Sequence, residues 1–183
     1  MSKIILGFAG EIASGKGTAT KYIVEKYNGS SYRFSTMLRD VLDRLYLGHS
    51  REAIQKLSTF LRQTFGENLM AKVMFEDVKK DVREVIAIDG VRRLADIEYL
   101  SQLPEFKLVY VEADMEKRFE RITRRGENMD DGAKTFEEFK KDHTQESESQ
   151  IRGLKDHAAF MINNNGLFED LYQQVDEIIS KLK

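Results

Sequence analysis

Apolar residues along this chain follow two different periods. Short runs rich in β-branched residues read as buried strands at Ile4–Ala9, Tyr32–Phe34, Val85–Ile88, Leu108–Glu112 and Phe160–Ile162. Between them, apolar positions recur every three to four residues, the period of a helix with one buried face. The helices so predicted are Gly15–Tyr27, Thr36–Leu47, Arg51–Phe65, Asn68–Val82, Leu94–Gln102, Met115–Arg125, Thr135–Leu154 and Leu167–Leu182. Thr135 has Glu138 three residues on, the spacing of a capping box. Strands alternating with helices predict an α/β fold of three layers: a five-stranded parallel sheet with helices on both faces.

The sharpest chemistry comes directly after the first strand. Gly10 to Thr18 read GEIASGKGT, a glycine-bracketed turn between a buried strand and a helix. In such a turn the backbone amides of Gly10, Ala13, Ser14, Gly15, Gly17 and Thr18 can surround a phosphate, and the helix N-terminus adds partial positive charge. Lys16 can reach the β- and γ-phosphates of a nucleoside triphosphate. This is a phosphate-binding loop, and it places the chain in the P-loop NTPase fold. The common motif has Ser or Thr directly after the lysine to touch magnesium. Here Gly17 stands there and Thr18 comes next, so magnesium is expected to be held by Thr18, with Asp89, more through water. Gly-Lys-Gly-Thr resembles the loop of adenylate kinases and related nucleoside monophosphate kinases.

Composition narrows the partners. The 183 residues suit one domain, with 41% hydrophobic residues for its core. Two helical regions, 36–80 and 115–154, read as insertions at the ligand edge: an acceptor cover and a lid-like region. A net charge of −2, with both signs interspersed, argues against a general nucleic-acid binder. The absence of cysteine excludes disulfides and thiolate metal sites and fits a reducing compartment. No signal-peptide pattern and no membrane-length apolar run is present, so a cytoplasmic monomer or homodimer without membrane or nucleic-acid partners is expected. Gly126 to Lys134 reads as a mobile loop. His49, His143 and His157 have no metal-ligand spacing and read as surface or satisfied histidines. Lys140, Lys141, Asp142, Glu146 and Glu148 read as a solvated helix face.

Ligands of parallel α/β sheets bind at the carboxyl ends of the strands. Asp89 ends the third run and is placed to help hold magnesium, directly or through water; an ordinary Asp-Gly turn is the plain alternative. Asp89-Gly90-Val91-Arg92-Arg93 resembles the Asp-Gly-Phe-Pro-Arg segment of adenylate kinases. The resemblance implies that Arg92 or Arg93 grips a substrate phosphate. Ser35-Thr36-Met37-Leu38-Arg39 resembles their Ser-Thr-Gly-Asp-Met-Leu-Arg segment with two residues removed, and implies that Arg39 binds the acceptor phosphate with Ser35 or Thr36 nearby. Guanidinium forks suit that task because they bind phosphate oxygens bidentately. Arg62 either faces the acceptor or is a solvated helical arginine.

Arg118, Arg121, Arg124 and Arg125 form the densest cationic cluster. Arg121-Ile122-Thr123-Arg124-Arg125 resembles the adenylate kinase segment entering the lid, which implies that Arg121, Arg124 and Arg125 stabilise the transferring phosphoryl group. Arg118 is read as a solvated partner of Glu116 or Glu120. Ala158 to Gly166 resembles the last strand and loop of dephospho-CoA kinases, and implies that Asn163 and Asn165 lie against the adenine of ATP. A plain strand-to-helix turn fits those residues too. Together the segments resemble the P-loop nucleoside and nucleotide kinase superfamily. The resemblance implies ATP- and magnesium-dependent transfer of the γ-phosphoryl to a small nucleotide, a nucleoside monophosphate first. Lys16, Arg93, Arg121, Arg124 and Arg125 are the expected catalytic residues. Dephospho-CoA is the alternative acceptor. A nucleotide-binding switch or ATPase is the alternative of another class.

Overall fold

Every apolar run that predicts a strand becomes one. The computed structural model describes residues 3–125, 135–143 and 146–183. In it β1 (Ile4–Ala9), β2 (Ser30–Arg33), β3 (Val85–Val91), β4 (Phe106–Glu112) and β5 (Phe160–Asn163) form one parallel sheet in the order β2-β3-β1-β4-β5. All six residues of the central strand β1 are buried, which is why its sequence is an unbroken apolar run.

The helices are α1 (Lys16–Tyr27), α2 (Phe34–Arg44), α3 (Arg51–Phe65), α4 (Leu69–Lys80), α5 (Leu94–Ile97), α6 (Met115–Arg125), α7 (Phe136–His143), α8 (Glu146–Gly153) and α9 (Phe168–Leu182). Alternate strand residues point to opposite faces and build two cores. On one face Ile5, Ile86, Ile88 and Leu108 pack with Leu38 of α2, Met74 and Val78 of α4 and Ile151 of α8. On the other, Leu6, Phe8, Val109 and Ile162 pack with Ile23 of α1 and Leu171 and Val175 of α9. Among the described residues no helix is long and apolar enough to cross a membrane.

Three boundaries differ from expectation. Strand β2 ends at Arg33, so α2 starts at Phe34 instead of Thr36. Residues 94–102 form a one-turn helix and a separate 3-10 turn, Leu100–Gln102, instead of a single helix. The single charged helix expected over 135–154 is two helices, α7 and α8, and it is not all solvated: Phe139, Ile151 and Leu154 are buried. The Thr135–Glu138 capping box forms as the spacing predicts, with the Thr135 amide 2.8 Å from Glu138 Oε2 and the Glu138 amide 3.3 Å from Thr135 Oγ1. The expected loop over Gly126–Lys134 lies outside the described residues, as do the side chains of Arg125, Asp142, His143, Glu146 and Glu148.

Two features of the frame bear on the ligand edge. The β1–β3 register slips between Phe8 and Ala9, so that Phe8 pairs with Asp89 while Ala9 pairs with Val91. Gly90 takes up the extra residue at φ 85°, a left-handed conformation that favours glycine. The second feature ties the last helix to α1. Asp176 on α9 accepts hydrogen bonds from Lys26 Nζ at 2.6 Å, Tyr27 OH at 2.6 Å and Tyr22 OH at 2.9 Å. The Tyr22 and Tyr172 rings stack beside it, 4.1 Å apart.

Acid unfolding should register this cluster. Burial alone would raise the Asp176 carboxyl, but the hydrogen bonds from Lys26, Tyr27 and Tyr22 hold it below the usual carboxylate range. Its contribution is therefore present above the unfolded value of about pH 4 and is lost as pH falls through the lower, folded value. In denaturant titrations followed by circular dichroism, the wild type should be the more stable protein at neutral pH, and its advantage over Asp176→Asn should close in acid. A constant difference at all pH values would remove the assignment.

Candidate functional site: a phosphate-binding loop at the carboxyl edge of the sheet

The chain leaves β1 through a turn that only a bare backbone can make. Gly10 has φ 141°, and a Cβ there would sit 2.2 Å from the carbonyl oxygen of Val111 on β4. Gly15 has φ 110° and takes the N-cap of α1 with no side-chain cap on the helix. A Cβ on Gly15 would sit 2.1 Å from Asn164 Nδ2. Ala13 is also left-handed, at φ 60°. The first turn of α1 carries no acidic residue, so its amide dipoles stay available to an anion. Lys16 folds over the loop and donates to the carbonyls of Gly10 at 2.7 Å and Glu11 at 2.9 Å. Ser14 is fully buried, and its Oγ has no hydrogen-bond partner. Gly17 and Thr18 lie on the first turn of α1.

Residues to which the sequence pattern gives no role hold this loop. Asn164 Nδ2 donates to the Ser14 carbonyl at 2.7 Å, and the Asn164 amide donates to Glu112 O at 2.8 Å. Glu11, inside the loop, pairs with Arg118 Nη2 at 3.0 Å and with Arg152 Nη1 at 3.3 Å. Arg118 also donates from Nε to Ala113 O at 3.0 Å and lies over the Phe139 ring. Its side chain is 2% exposed. Arg118 is thus a buried clamp between α6 and the loop, not a solvated partner of Glu116 or Glu120. An acid within an anion-binding loop is the available sign of a buried cation nearby.

The other arginines of α6 divide. Arg121 donates from Nη2 to Asn164 O at 2.8 Å, and its Nη1 is buried and has no hydrogen-bond partner among the described residues. Burial holds its pKa below the usual arginine value. Arg124 points to solvent and pairs with Glu120 of its own helix. The two flanking asparagines shape the turn they sit in. Asn163 exchanges backbone hydrogen bonds with the Gln174 side chain at 3.0 Å. Asn165 holds the Asp114 amide at 2.8 Å and its carboxylate at 3.0 Å.

At the β3 end, Asp89 is 7% exposed and already has a cation beside it. Arg33, the last residue of β2, donates to Asp89 Oδ2 from Nε at 3.0 Å and from Nη2 at 2.7 Å. The periodicity misses Arg33 because it extends the strand through Phe34. Ser35 and Thr36 lie in the first turn of α2, and Arg39 lies farther along on its exposed side. Arg92 is exposed just past β3. Among the described residues the Arg39 and Arg92 side chains have no hydrogen-bond or ion-pair partner. Arg93 reaches the other way, to Glu67 Oε2 at 3.1 Å.

Arg62 is neither facing an acceptor nor solvated. It is buried, donating to Glu67 O at 2.6 Å and to Asp96 Oδ1 at 3.2 Å. Asp96 Oδ2 in turn accepts the Arg92 and Arg93 amides at 3.0 and 3.1 Å. His49 pairs with Asp43, and among the described residues no three His, Asp or Glu side chains converge to hold a metal ion.

The contrast between Arg118 and Arg124 is measurable. Arg118→Ala removes a buried guanidinium with its bond to Ala113 O and its contact with Phe139, leaves Glu11 to Arg152, and should lower stability by about 3 kcal/mol. Arg124→Ala removes an exposed pair and should change it by less than about 0.5 kcal/mol. Urea unfolding of both variants checks this; equal small losses would mean that Arg118 is not a clamp.

Comparison with known proteins agrees with this architecture. The AAA domain family matches the chain over residues 9–140. The chain is 32% identical over 191 aligned residues to the UPF0200 protein TK1334 of Thermococcus kodakarensis, with 100% of each chain covered. It is 29% identical to the UPF0200 protein of Staphylothermus marinus, covering 100% of this chain and 94% of that one. Among solved structures it resembles shikimate kinase from Bacteroides thetaiotaomicron with a TM-score of 0.67 and 16% identity, covering 97% and 98% of the two chains. It resembles TT1252 from Thermus thermophilus with a TM-score of 0.63 and 17% identity, covering 100% of both. At those identities the likeness concerns the fold alone, the three-layer arrangement of P-loop kinases. The chain belongs to the UPF0200 family, within the P-loop proteins that carry an AAA domain and a kinase-like fold.

Proposed function

We propose that this protein is an ATP-dependent phosphotransferase whose acceptor is a small nucleotide bearing a phosphate, most simply a nucleoside monophosphate. The observation that carries the reading is an adjacency. The phosphate loop leaves β1, and two arginines without partners among the described residues, Arg92 and Arg39, leave from β3 and β2, the next strands along the same edge. An anion seated on the loop then has cations beside it with room for a second anion.

In this proposal the amides from Gly10 to Thr18 hold the donor phosphates. Lys16 exchanges its two carbonyl partners for phosphate oxygens, since a bond between two ions is stronger than one to a neutral carbonyl. Arg121 turns its unpartnered Nη1 to the same group and stabilises charge there, with Arg125 one turn farther along the helix. Arg124, turned to solvent, is left out of this step. Arg39 and Arg92, with Ser35 and Thr36 at the start of α2, hold the acceptor phosphate; Arg93, held by Glu67, supports that turn. The adenine lies along the turn from Asn163 to Asn165, against backbone groups, because the Asn163 side chain accepts the Asn165 amide and the Asn165 side chain is held by Asp114. An acceptor phosphate oxygen attacks the γ-phosphorus, the bond to the β,γ-bridging oxygen breaks, and ADP leaves. The acceptor is already ionised, so positioning and charge neutralisation replace a general base.

Direct coordination of magnesium in the usual way, between a hydroxyl just after the lysine and Asp89 Oδ2, does not fit these residues. Both bonds from Arg33 fall on Asp89 Oδ2, and the position after the lysine is Gly17, which has no hydroxyl. The steps above therefore rest on the chain's own cations.

ADP release measured against a panel of nucleoside monophosphates and dephospho-CoA tests the proposal. Turnover should depend on a monophosphate and should vanish in Lys16→Ala. Arg39→Ala should raise the acceptor KM about tenfold to a hundredfold, the worth of one charged phosphate fork, with the KM for ATP nearly unchanged. Dependence on dephospho-CoA alone would move the acceptor to a ribose hydroxyl. Slow release independent of any acceptor would replace the kinase with an ATP-hydrolysing switch.

A further inference from the structure

We propose that Arg33 takes, at the phosphates of a bound nucleotide, the place that a directly coordinated divalent ion has in other P-loop proteins, and that Asp89 serves to aim Arg33. The inference rests on the reading of Gly10–Thr18 as a nucleotide phosphate site. In P-loop proteins of the common type, the ion sits between the hydroxyl just after the lysine and an acid at the end of a neighbouring strand. Here the residue after the lysine is Gly17, and the strand-end acid is Asp89. The Arg33 guanidinium fills the space between them. A Cβ built on Gly17 would lie 3.8 Å from Arg33 Nη2, ordinary van der Waals contact, so the guanidinium stands directly beside the position that a serine or threonine side chain has in the common motif. On the other side, Nη2 and Nε lie 2.7 and 3.0 Å from Asp89 Oδ2.

The backbone arranges this meeting. Arg33 and Asp89 are register partners across β2 and β3, and the bulge at Gly90 comes immediately after. The Arg33 stem lies against Gly90: a Cβ there would sit 4.0 Å from Arg33 Cγ, ordinary van der Waals contact. Of the five guanidinium N–H groups, Asp89 takes two. The remaining three, on Nη1 and Nη2, are open to phosphate oxygens, and the side chain is 48% exposed, so a ligand can reach it.

The charge sums differ from those of a metal site. A carboxylate with a divalent ion leaves one net positive charge beside the phosphates. A carboxylate with a guanidinium leaves none, but its fixed planar fork presents paired donors without the need to strip water from a small ion. Affinity for the nucleotide should then depend little on divalent cations.

Binding of the β,γ-imido analogue of ATP, measured by calorimetry at fixed ionic strength in EDTA and in magnesium chloride, tests this apart from turnover. Wild-type dissociation constants should agree within about threefold between the two buffers. Arg33→Gln should weaken binding in EDTA by about tenfold or more, the loss of a charged hydrogen-bonding group. Magnesium should then restore part of the affinity, because Asp89 is released. The variant leaves the buried Asp89 without its cation and should melt somewhat lower unliganded, so binding is measured well below that melting temperature, and a defect of folding would not create a metal requirement. The proposal is overturned if the wild type needs magnesium by tenfold or more, or if Arg33→Gln binds as the wild type does in EDTA. Absence of binding in both buffers would overturn the phosphate-loop reading itself, and this inference with it.

Discussion

Asn164 donates one hydrogen bond to the carbonyl of Ser14, and the shape of the phosphate loop depends on that contact and a few like it. A loop whose amides point inward has its carbonyls pointing outward, and those carbonyls need partners of their own. Asn164 takes one of them, and its own amide is anchored to the end of β4. It reaches the loop only because Gly15 carries no side chain. The last strand of the sheet thus holds the turn that leaves the first. Contacts between residues so distant in sequence require the whole sheet to be assembled in its order, with β4 and β5 on one side of β1. The fold is in this sense a means of bringing Asn164 and Val111 to the first loop.

Charge is handled by the same logic. Glu11 lies inside a loop that is proposed to attract anions, where an unpaired carboxylate would repel the ligand. Two arginines neutralise it, one from α6 and one from α8. The carboxylate therefore acts as a tie between the loop and the helices over it. Asp89 repeats the pattern at the other side of β1, with Arg33 as its cation. Glu11 and Asp89 are thus each matched by arginine, and Arg39 and Arg92, whose side chains have no partner among the described residues, lie toward β2 and β3.

The frame was legible in the sequence because it rests on periodicity. Ile4–Ala9 reads as a buried strand, and the glycines of Gly10–Thr18 announce their backbone. The Thr135–Glu138 cap is a local pattern and formed as such. The parts that were not legible depend on contacts between distant residues. Nothing near Arg118 in sequence says that Phe139 will cover it or that Glu11 will meet it, so solvated and buried arginines of one helix look alike. Arg33 was hidden by one residue at the end of β2, since a period of two gives the faces of a strand but not the place where it stops. Asn164 was hidden among three asparagines, of which only the middle one reaches the loop.

The buried pair of Arg62 and Asp96 has a mechanical consequence. Arg62 bonds the α3–α4 turn, while Asp96 holds the backbone of Arg92 and Arg93. Separating them would leave a buried guanidinium and a buried carboxylate each without its opposite charge, a steep cost. Helices α3 and α4 and the segment after β3 therefore share one set of degrees of freedom and translate together. The freedom that remains on this side belongs to α2, which is joined to α3 through the exposed Leu45–Ser50 connection, with Tyr46 at a left-handed φ of 57°. In the proposed function an acceptor at this edge meets α3, α4 and the segment after β3 as one tied wall, and α2 as a separate element joined to that wall through a six-residue exposed connection.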